Sequence, residues 1–285
     1  MILSFHPCFD TGHQIILGDR TLDDEIIGQI WSADVIVLPQ GCSEALYRAC
    51  EKSKALLFPN YEKRYQYPGK IGQDRLFKLF NFPRPETFSW KSVEIFKNTR
   101  TGFTDPPHQW PFFLKEDRSH EAEGVYLAEN PKTLESALER IALKEKSGYK
   151  GFVTQNFINT KGNVLRTVIM GRKVITYWKR PFLPGQMITT ISRGAIIDHD
   201  WRQEQQEKGK KYTLDLSHKT GINLAAIDLV FDESEEDPDP FFLEINYFFG
   251  RRGIGGAEKY YDLLFVALQD WLQQKGFDHK SVKLV

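Results

Sequence analysis

The stretch FFLEINYFFG, residues 241–250, is among the most apolar runs of the chain, yet it carries Glu244 and Asn246. Successive side chains of a strand point to opposite faces of the sheet, so these two residues share one face. A lone buried carboxylate is costly, and such a group normally lies beside a cation, a metal ion or hydrogen-bond donors. The stretch therefore predicts a strand with a polar site on one face.

A second polar residue in an apolar strand precedes it. Asp228 lies in AAIDLVF, and the acidic segment ESEEDPDP separates the two runs. If this segment joins them as a hairpin, Asp228 lies opposite Glu244 and Asn246. Two carboxylates and an amide oxygen are hard ligands that suit Mg²⁺ at about 2.1 Å, with substrate phosphates completing the shell. The alternative is that each acid forms an ordinary salt bridge at the rim of a sheet.

Four cations in apolar or glycine-rich surroundings would complement phosphate groups. Lys115 ends the apolar strand PFFL, Lys70 lies in the turn PGKIG, and Arg166 and Arg193 are flanked by uncharged residues. Each could instead be a surface cation whose stem covers apolar area. Together with an oxygen-ligand metal site they favour binding of a magnesium–nucleotide triphosphate. No G-x-x-x-x-G-K-[ST] motif occurs, so a P-loop is excluded.

Composition narrows the class of protein. The chain has 285 residues with 41% hydrophobic residues, and Lys plus Arg equals Asp plus Glu at 38 each. The formal net charge is therefore zero, and it does not favour binding to nucleic acid or to an acidic membrane surface. The three cysteines form no metal-ligand spacing, and their odd number suits reduced thiols. The N-terminus lacks the features of a signal peptide, and no run of about 18 apolar residues predicts a membrane span. We expect a soluble cytoplasmic protein with no nucleic-acid or membrane partner.

The N-terminal part alternates strands and helices. ADVIVLPQG (33–41) indicates a buried parallel strand, SEALYRACEKS a helix with Ser43 as N-cap, and KALLF a further strand. This order predicts an open parallel sheet. The helix in GKIGQDRLFKLFNFPRPETFSW (69–90) is broken by Pro83 and Pro85, and we place a domain junction there.

Beyond the junction the pattern favours antiparallel pairing. NVLRTVIMGRKVITYWKRP predicts a hairpin about Gly171 and Arg172, and PKTLESALERIALKEK predicts an amphipathic helix. The polar segment that begins at Trp201 is interpreted as a solvated helix and loop. The chain closes with a helix that ends at a glycine.

The order of these features resembles the ATP-grasp superfamily, and within it the RimK-type and glutathione-synthetase-type ligases. The resemblance covers roughly residues 35–265, and its strongest part is the pair of strands AAIDLVF and FFLEINYFFG. It implies an α/β ATP-grasp fold with an N-terminal open parallel-sheet domain and two α+β subdomains that hold the nucleotide between them. The boundaries predicted from it are 1–84, 85–154 and 155–285.

The resemblance also assigns roles to individual residues. PGKIG and PFFLKED match the segments with the two ATP lysines, Lys70 and Lys115, and VTQNFIN matches the hinge whose backbone meets adenine. The implied cofactors are ATP and one or two Mg²⁺ ions, with Mn²⁺ as a substitute. The residues so assigned are, for the nucleotide, Lys70, Lys115, Gln155, Asn156, Phe157 and Ile158; for the metal, Asp228, Glu244 and Asn246; and for catalysis, Arg166 and Arg193.

Some positions depart from the family pattern. Val164 stands where the family has an acid before the arginine, Asn156 replaces the hinge acid, and the 118–124 loop has His120 and two glutamates with Gly124 as its single glycine. The implied activity is an ADP-forming ligase that joins the carboxylate of an amino acid or peptide to an amine through an acyl phosphate, and a homo-oligomer is compatible with it. A small-molecule kinase and a nucleotide-binding module with little turnover remain alternatives. Arg251 and Arg252 are candidates for recognising a substrate carboxylate or phosphate.

Overall fold

The computed structural model describes residues 1–99, 105–119, 123–149 and 151–285, with Arg193 described by its backbone alone. The N-terminal region contains the elements β1 (Ile2–Ser4), β2 (Phe9–Asp10), α1 (Asp24–Ser32), β3 (Val35–Val37), α2 (Glu44–Glu51), β4 (Leu56–Phe58), α3 (Glu62–Gln66) and α4 (Gly69–Leu79). Strands β1, β3 and β4 form a parallel sheet, as predicted. The Ser43 hydroxyl accepts a hydrogen bond from the Leu46 amide at 3.2 Å, which confirms the predicted N-cap of α2.

A second, antiparallel sheet follows. Its region contains β5 (Thr87–Trp90), α5 (Val93–Thr99), β6 (Phe112–Glu116), β7 (Val125–Ala128), α6 (Pro131–Lys146) and β8 (Phe152–Asn156). The strand order is β5-β8-β6-β7. Apolar residues of α5 and α6 pack on one face of this sheet. Helix α6 begins and ends where its amphipathic pattern predicts, with Asn130 as its N-cap.

The third sheet is the largest, and it carries the polar strands. Its region contains β9 (Val164–Met170), β10 (Lys173–Arg180), β11 (Ile196–Asp198), α7 (Gln203–Thr220), β12 (Leu224–Val230), β13 (Phe241–Asn246), α8 (Ala257–Gln274) and β14 (Lys283–Leu284). Strands β9 to β13 form one sheet in the order β11-β10-β9-β12-β13, and β14 pairs with β2. The hairpin about Gly171 and the antiparallel pairing of β12 with β13 are both confirmed.

Helices pack on both faces of this sheet, and the packing of α7 corrects the prediction of a solvated helix. Residues of α8 pack on the face that contains Val168 and Tyr177. Helix α7 is not a freely solvated helix, because Gly209, Thr213 and Leu216 are buried against the sheet. A Cβ atom at Gly209 would lie 2.4 Å from Leu165 Cδ2, so the missing side chain permits the close approach. The polar pattern concealed this face because Leu216 is its only apolar residue larger than glycine, and the others are Gln206, Gly209, Thr213 and Thr220.

The predicted boundary at residue 84 falls between α4 and β5, whereas the predicted boundary at residue 154 lies within β8 (Phe152–Asn156) of the second sheet. Both domain boundaries remain predictions. Among the residues that the structure describes, no helix combines the length and apolar character needed to cross a bilayer.

Candidate nucleotide and metal site

The polar residues of the apolar strands form a row across the third sheet. Arg166 in β9 pairs with Asp228 in β12, and Asp228 pairs with Glu244 in β13. Directly opposite residues of antiparallel strands project from the same face. Asn246 lies two residues beyond Glu244 and therefore shares that face. The structure thus brings together four residues that the sequence analysis singled out.

A β-bulge explains how one short strand serves an apolar core and a polar site. Asp228 pairs with Glu244 and Leu229 pairs with Phe242, so Leu243 is an extra residue without a partner in β12. The extra residue lets Phe242 and Ile245, three positions apart, both enter the same core cluster. Glu244 then lies on the opposite face.

Asp228 is held by two cations. Arg166 donates Nε to Oδ1 and Nη2 to Oδ2, both at 2.8 Å, and Lys179 Nζ donates to Oδ2 at 2.9 Å. All three side chains are largely buried. A bidentate arginine–carboxylate pair fixes both groups in orientation as well as distance. Asp228 therefore anchors two cations on the site face.

Burial and charge act against each other on these groups. Burial alone would raise the pKa of Asp228, but Arg166 and Lys179 more than offset it and hold the pKa below its usual range. Burial lowers the pKa of Lys179 to about 8, although the charge of Asp228 opposes the shift. The carboxylate therefore stays ionised at neutral pH, and Lys179 remains mostly protonated.

The two lysines predicted to bind ATP lie on the other side of the site. Lys70, in the first turn of α4, donates to the Ser119 carbonyl at 2.7 Å and lies 3.6 Å from Glu244 Oε1. Lys115, at the end of β6, donates to Gln155 Oε1. Burial lowers the pKa of Lys115 to about 8, and the nearby charge of Glu244 partly offsets this effect. Four cations therefore face two carboxylates, an excess of positive charge that suits a polyphosphate.

A narrow cleft joins these residues to the hinge. It lies between α4, the second sheet and β13, and its volume is about 20 Å³, room for about one water molecule. The lining includes Lys70, Lys115, Gln155, Phe242 and Leu243.

The hinge residues lie where β8 ends. The Asn156 amide donates to the Glu86 carbonyl at 2.9 Å, so this backbone donor is already occupied. Gln155 pairs with Thr87 in β5, and its side-chain amide also donates to the Thr87 hydroxyl at 3.0 Å. The phenyl ring of Phe157 stacks near that of Phe113. The Ile158 carbonyl accepts from the Thr160 amide at 2.9 Å. The Phe157 backbone and the Ile158 amide are then the hinge candidates for contact with a base.

Other predicted residues lie farther out or are described only in part. Arg193 ends a short 3-10 turn, and its side chain lies outside the described structure, as do residues 120–122 of the 118–124 loop. The Arg251 guanidinium lies 4.5 Å from the ring centroids of both Tyr260 and Tyr261, so it packs against this pair of rings. Arg252 is exposed. Val164, where the family has an acid, pairs with Lys179 across the hairpin.

The donor set near β13 fits a hard cation that arrives with phosphate. Glu244 makes one long ionic contact, at 3.6 Å, and the buried side-chain nitrogen of Asn246 has no hydrogen-bond partner in the described structure. Across residues 1–99, 105–119, 123–149 and 151–285, no three His, Cys, Asp or Glu side chains form a metal site by themselves. Oxygens from Asp228, Glu244 and Asn246 together with phosphate would suit Mg²⁺, which usually keeps substrate phosphates as ligands.

Lys179 is a site residue that the sequence analysis missed. It is the last residue but one of its strand, as Lys115 is, and it is buried. The same signal could have identified it, because a lysine at such a position needs a negative partner. Its partner Asp228 lies 49 residues away, a distance that the local pattern does not reveal.

Comparison with known proteins places the chain in a family. The sequence model of the RimK-like ATP-grasp domain matches residues 98–261, more than half of the chain. Probable alpha-L-glutamate ligase 2 of Shewanella sp. (strain W3-18-1) is 26% identical over 148 residues, which are 52% of this chain and 46% of that protein. The corresponding ligase of Coxiella burnetii (strain Dugway 5J108-111) is 26% identical over 151 residues, with the same coverage. The chain spans about half the length of the curated relatives it matches.

Solved structures share the fold. The D-alanine–D-alanine ligase of Bacillus anthracis superposes with a TM-score of 0.60 at 14% identity, covering 93% of this chain and 88% of that one. The L-amino acid ligase of Bacillus licheniformis gives a TM-score of 0.56 at 14% identity, covering 85% and 59%. The predicted ATP-grasp fold is therefore confirmed, and the chain belongs to the RimK-like ATP-grasp family.

Proposed function

We propose that this protein is an ATP- and Mg²⁺-dependent ligase that joins the carboxylate of an amino acid or peptide to an amine. The observation that carries the proposal is the row Arg166–Asp228–Glu244 on adjacent strands, with Lys179 on Asp228 and Lys70 beside Glu244. Family membership supports it, as do relatives named as glutamate ligases.

The reaction has two steps in this proposal. An oxygen of the substrate carboxylate attacks the γ-phosphorus of ATP, the bond to the bridging oxygen of ADP breaks, and an acyl phosphate and ADP result. The amine nitrogen then attacks the acyl carbon, phosphate leaves, and the nitrogen loses a proton to give the amide. Neither step requires a protein nucleophile, and stabilising the charge on the transferring group is the main task of the site.

Different residues stabilise the charge on different parts of the bound nucleotide in this proposal. Lys70 and Lys115 neutralise charge on the phosphates, while Arg166, oriented by Asp228, and Lys179 face the transferring group from the sheet. Asp228, Glu244 and Asn246 would hold one or two Mg²⁺ ions, for which Mn²⁺ could substitute, and the bound ion would neutralise phosphate oxygens. Arg193 belongs to the same proposal by its match to the family motif.

Glu244→Gln tests this assignment. Purified protein is incubated with ATP, Mg²⁺ and a panel of amino acids and short peptides, and phosphate release and the mass of the product are measured. The parent protein should release phosphate and form an amide with at least one pair of substrates, and Glu244→Gln should lose Mg²⁺-dependent turnover because a charged ligand is removed. The matched control is Glu258→Gln, at an exposed position of α8, which should retain parental turnover.

Three outcomes would contradict parts of the proposal. Parental turnover by Glu244→Gln would remove the metal assignment. Binding of Mg²⁺–ATP by titration calorimetry, with no product across a broad panel, would favour a nucleotide-binding module over a ligase. A phosphorylated acceptor detected in place of an amide would indicate a kinase.

A further inference from the structure

The outer edge of β13 is where the largest sheet ends. Strand β13 is the last in the order β11-β10-β9-β12-β13, so no other strand of the described residues pairs with the backbone groups that point away from β12. Such groups, once shielded from water, are costly unless another donor or acceptor reaches them. The two candidate metal ligands Glu244 and Asn246 lie on this edge strand.

Two residues from the α4 region supply the missing partners. The Gln73 side chain, on α4, donates Nε2 to the Ile245 carbonyl at 2.8 Å, and its Oε1 accepts from the Ile245 amide at 2.8 Å. The Pro83 carbonyl accepts from the Phe242 amide at 2.8 Å. A single primary amide therefore pairs with Ile245 as a neighbouring strand would. The contact joins residues 172 positions apart in the chain.

The position of this contact connects it to the site. Ile245 lies between Glu244 and Asn246, so the two hydrogen bonds fix the backbone from which both side chains project. Gln73 lies three residues after Lys70, in the same helix, and Lys70 Nζ lies 3.6 Å from Glu244 Oε1. The helix is also fixed at its start, because Asp117 Oδ1 accepts from the Ile71 amide at 3.0 Å. Helix α4 thus sets the spacing between a phosphate-binding cation and the candidate metal ligands.

We infer that Gln73 is a positioning residue, which acts as an added strand to hold Glu244 and Asn246 in the geometry that Mg²⁺–ATP requires. The inference rests on the proposed function for its catalytic consequence, while its structural part stands on the two hydrogen bonds alone. A purely stabilising role would change the melting temperature and leave the dependence of turnover on Mg²⁺ unchanged.

The experiment compares three variants of the full chain. Gln73→Met keeps the length of the side chain and loses both hydrogen bonds, and Gln73→Glu retains an acceptor for the Ile245 amide but has no donor for its carbonyl. Arg75→Met, at an exposed position of the same helix, is the matched control. Amide hydrogen exchange of Ile245 is measured without ligand, and turnover is measured as a function of Mg²⁺ at saturating ATP.

The expected results differ among the variants. The Ile245 amide should exchange at least about tenfold faster in Gln73→Met, the size expected from losing about 1.4 kcal/mol of local protection. It should remain protected in Gln73→Glu and in Arg75→Met. The Mg²⁺ concentration for half-maximal turnover should rise several-fold in Gln73→Met, with most of kcat recovered at saturating Mg²⁺.

Each contrary result removes a defined part of the inference. Parental exchange at Ile245 in Gln73→Met overturns the added-strand role. Faster exchange with an unchanged Mg²⁺ dependence overturns the positioning role. A parent protein without turnover contradicts the proposed function instead, and the exchange measurement still decides whether Gln73 holds the edge strand.

Discussion

Replacing Asp228 with asparagine removes a negative charge that two cations share. In the parent protein, both carboxylate oxygens accept hydrogen bonds from Arg166, and one also accepts from Lys179. Asparagine has nearly the same shape but carries one acceptor and one donor in place of two acceptors. At least one guanidinium or ammonium donor would then face an amide donor, and two buried cations would lose the carboxylate to which both are hydrogen-bonded.

The expected loss of stability follows from burial. The Asp228 and Lys179 side chains are 7% and 5% exposed. Removing one member of a buried ion pair typically costs about 3–5 kcal/mol. For a chain of 285 residues, an unfolding entropy of about 0.6 kcal/mol/K converts this cost into a fall in Tm of about 5–8 °C. Glu244→Gln is the matched comparison, because the Glu244 side chain is 28% exposed and makes one ionic contact, at 3.6 Å. Its expected cost is below about 1 kcal/mol.

Thermal unfolding of the three proteins, measured by circular dichroism at pH 7, separates the two carboxylates. Asp228→Asn should melt well below the parent, and Glu244→Gln should melt within about 2 °C of it. A parental Tm for Asp228→Asn would refute the buried triad of Arg166, Asp228 and Lys179. A large fall for Glu244→Gln would show that Glu244 has a structural role as well.

Two further predictions concern charge and packing. Burial lowers the pKa of Lys115 to about 8, so this lysine is charged below that pH and neutral above it. The affinity for Mg²⁺–ATP should therefore fall as pH rises through 8, by at most about tenfold per pH unit for this group. In titration calorimetry, Lys115→Arg should weaken this fall because a guanidinium stays charged, whereas an affinity independent of pH in the parent would exclude the effect. Gly253→Ala should cost about 1–3 kcal/mol, because the new Cβ would lie 2.1 Å from the buried Tyr177 ring. Chemical denaturation would test this, with Gly250→Ala, where nothing lies within 4 Å of the added Cβ, as the control that should unfold like the parent.

Local pattern was sufficient for most of the fold. The amphipathic period predicted α6, and the apolar runs about Gly171 predicted the hairpin of β9 and β10. It failed for α7, whose buried face has one apolar residue, Leu216, among Gln206, Gly209, Thr213 and Thr220. The Thr213 hydroxyl bonds the Thr167 hydroxyl at 2.6 Å, and a partner of this kind satisfies a polar group in the interior. The alternation of polar and apolar residues along the sequence does not identify such a partner.

The same distinction applies to the site. Asp228, Glu244 and Asn246 were predictable because each interrupts an apolar run, and the even spacing of Glu244 and Asn246 places them on one face. The bulge at Leu243 was not, since it depends on the register between two strands. Gln73 gave no local signal either, because a glutamine on an amphipathic helix is ordinary until the edge of β13 is placed beside it.

Asp228 also holds Arg166 and Lys179 in place, a role that its position in an apolar strand did not reveal. As a metal ligand it would offer oxygen to Mg²⁺, yet its two oxygens already accept three hydrogen bonds from cations. Lys70, Lys115, Arg166 and Lys179 together outnumber the two carboxylates, so a bare divalent cation would meet net repulsion here. Triphosphate reverses that balance, because its negative charge compensates the lysines and the arginine while its oxygens complete the metal shell. We therefore expect Mg²⁺ to bind measurably only with nucleotide, and calorimetric binding of Mg²⁺ alone at micromolar affinity would contradict this account of the site.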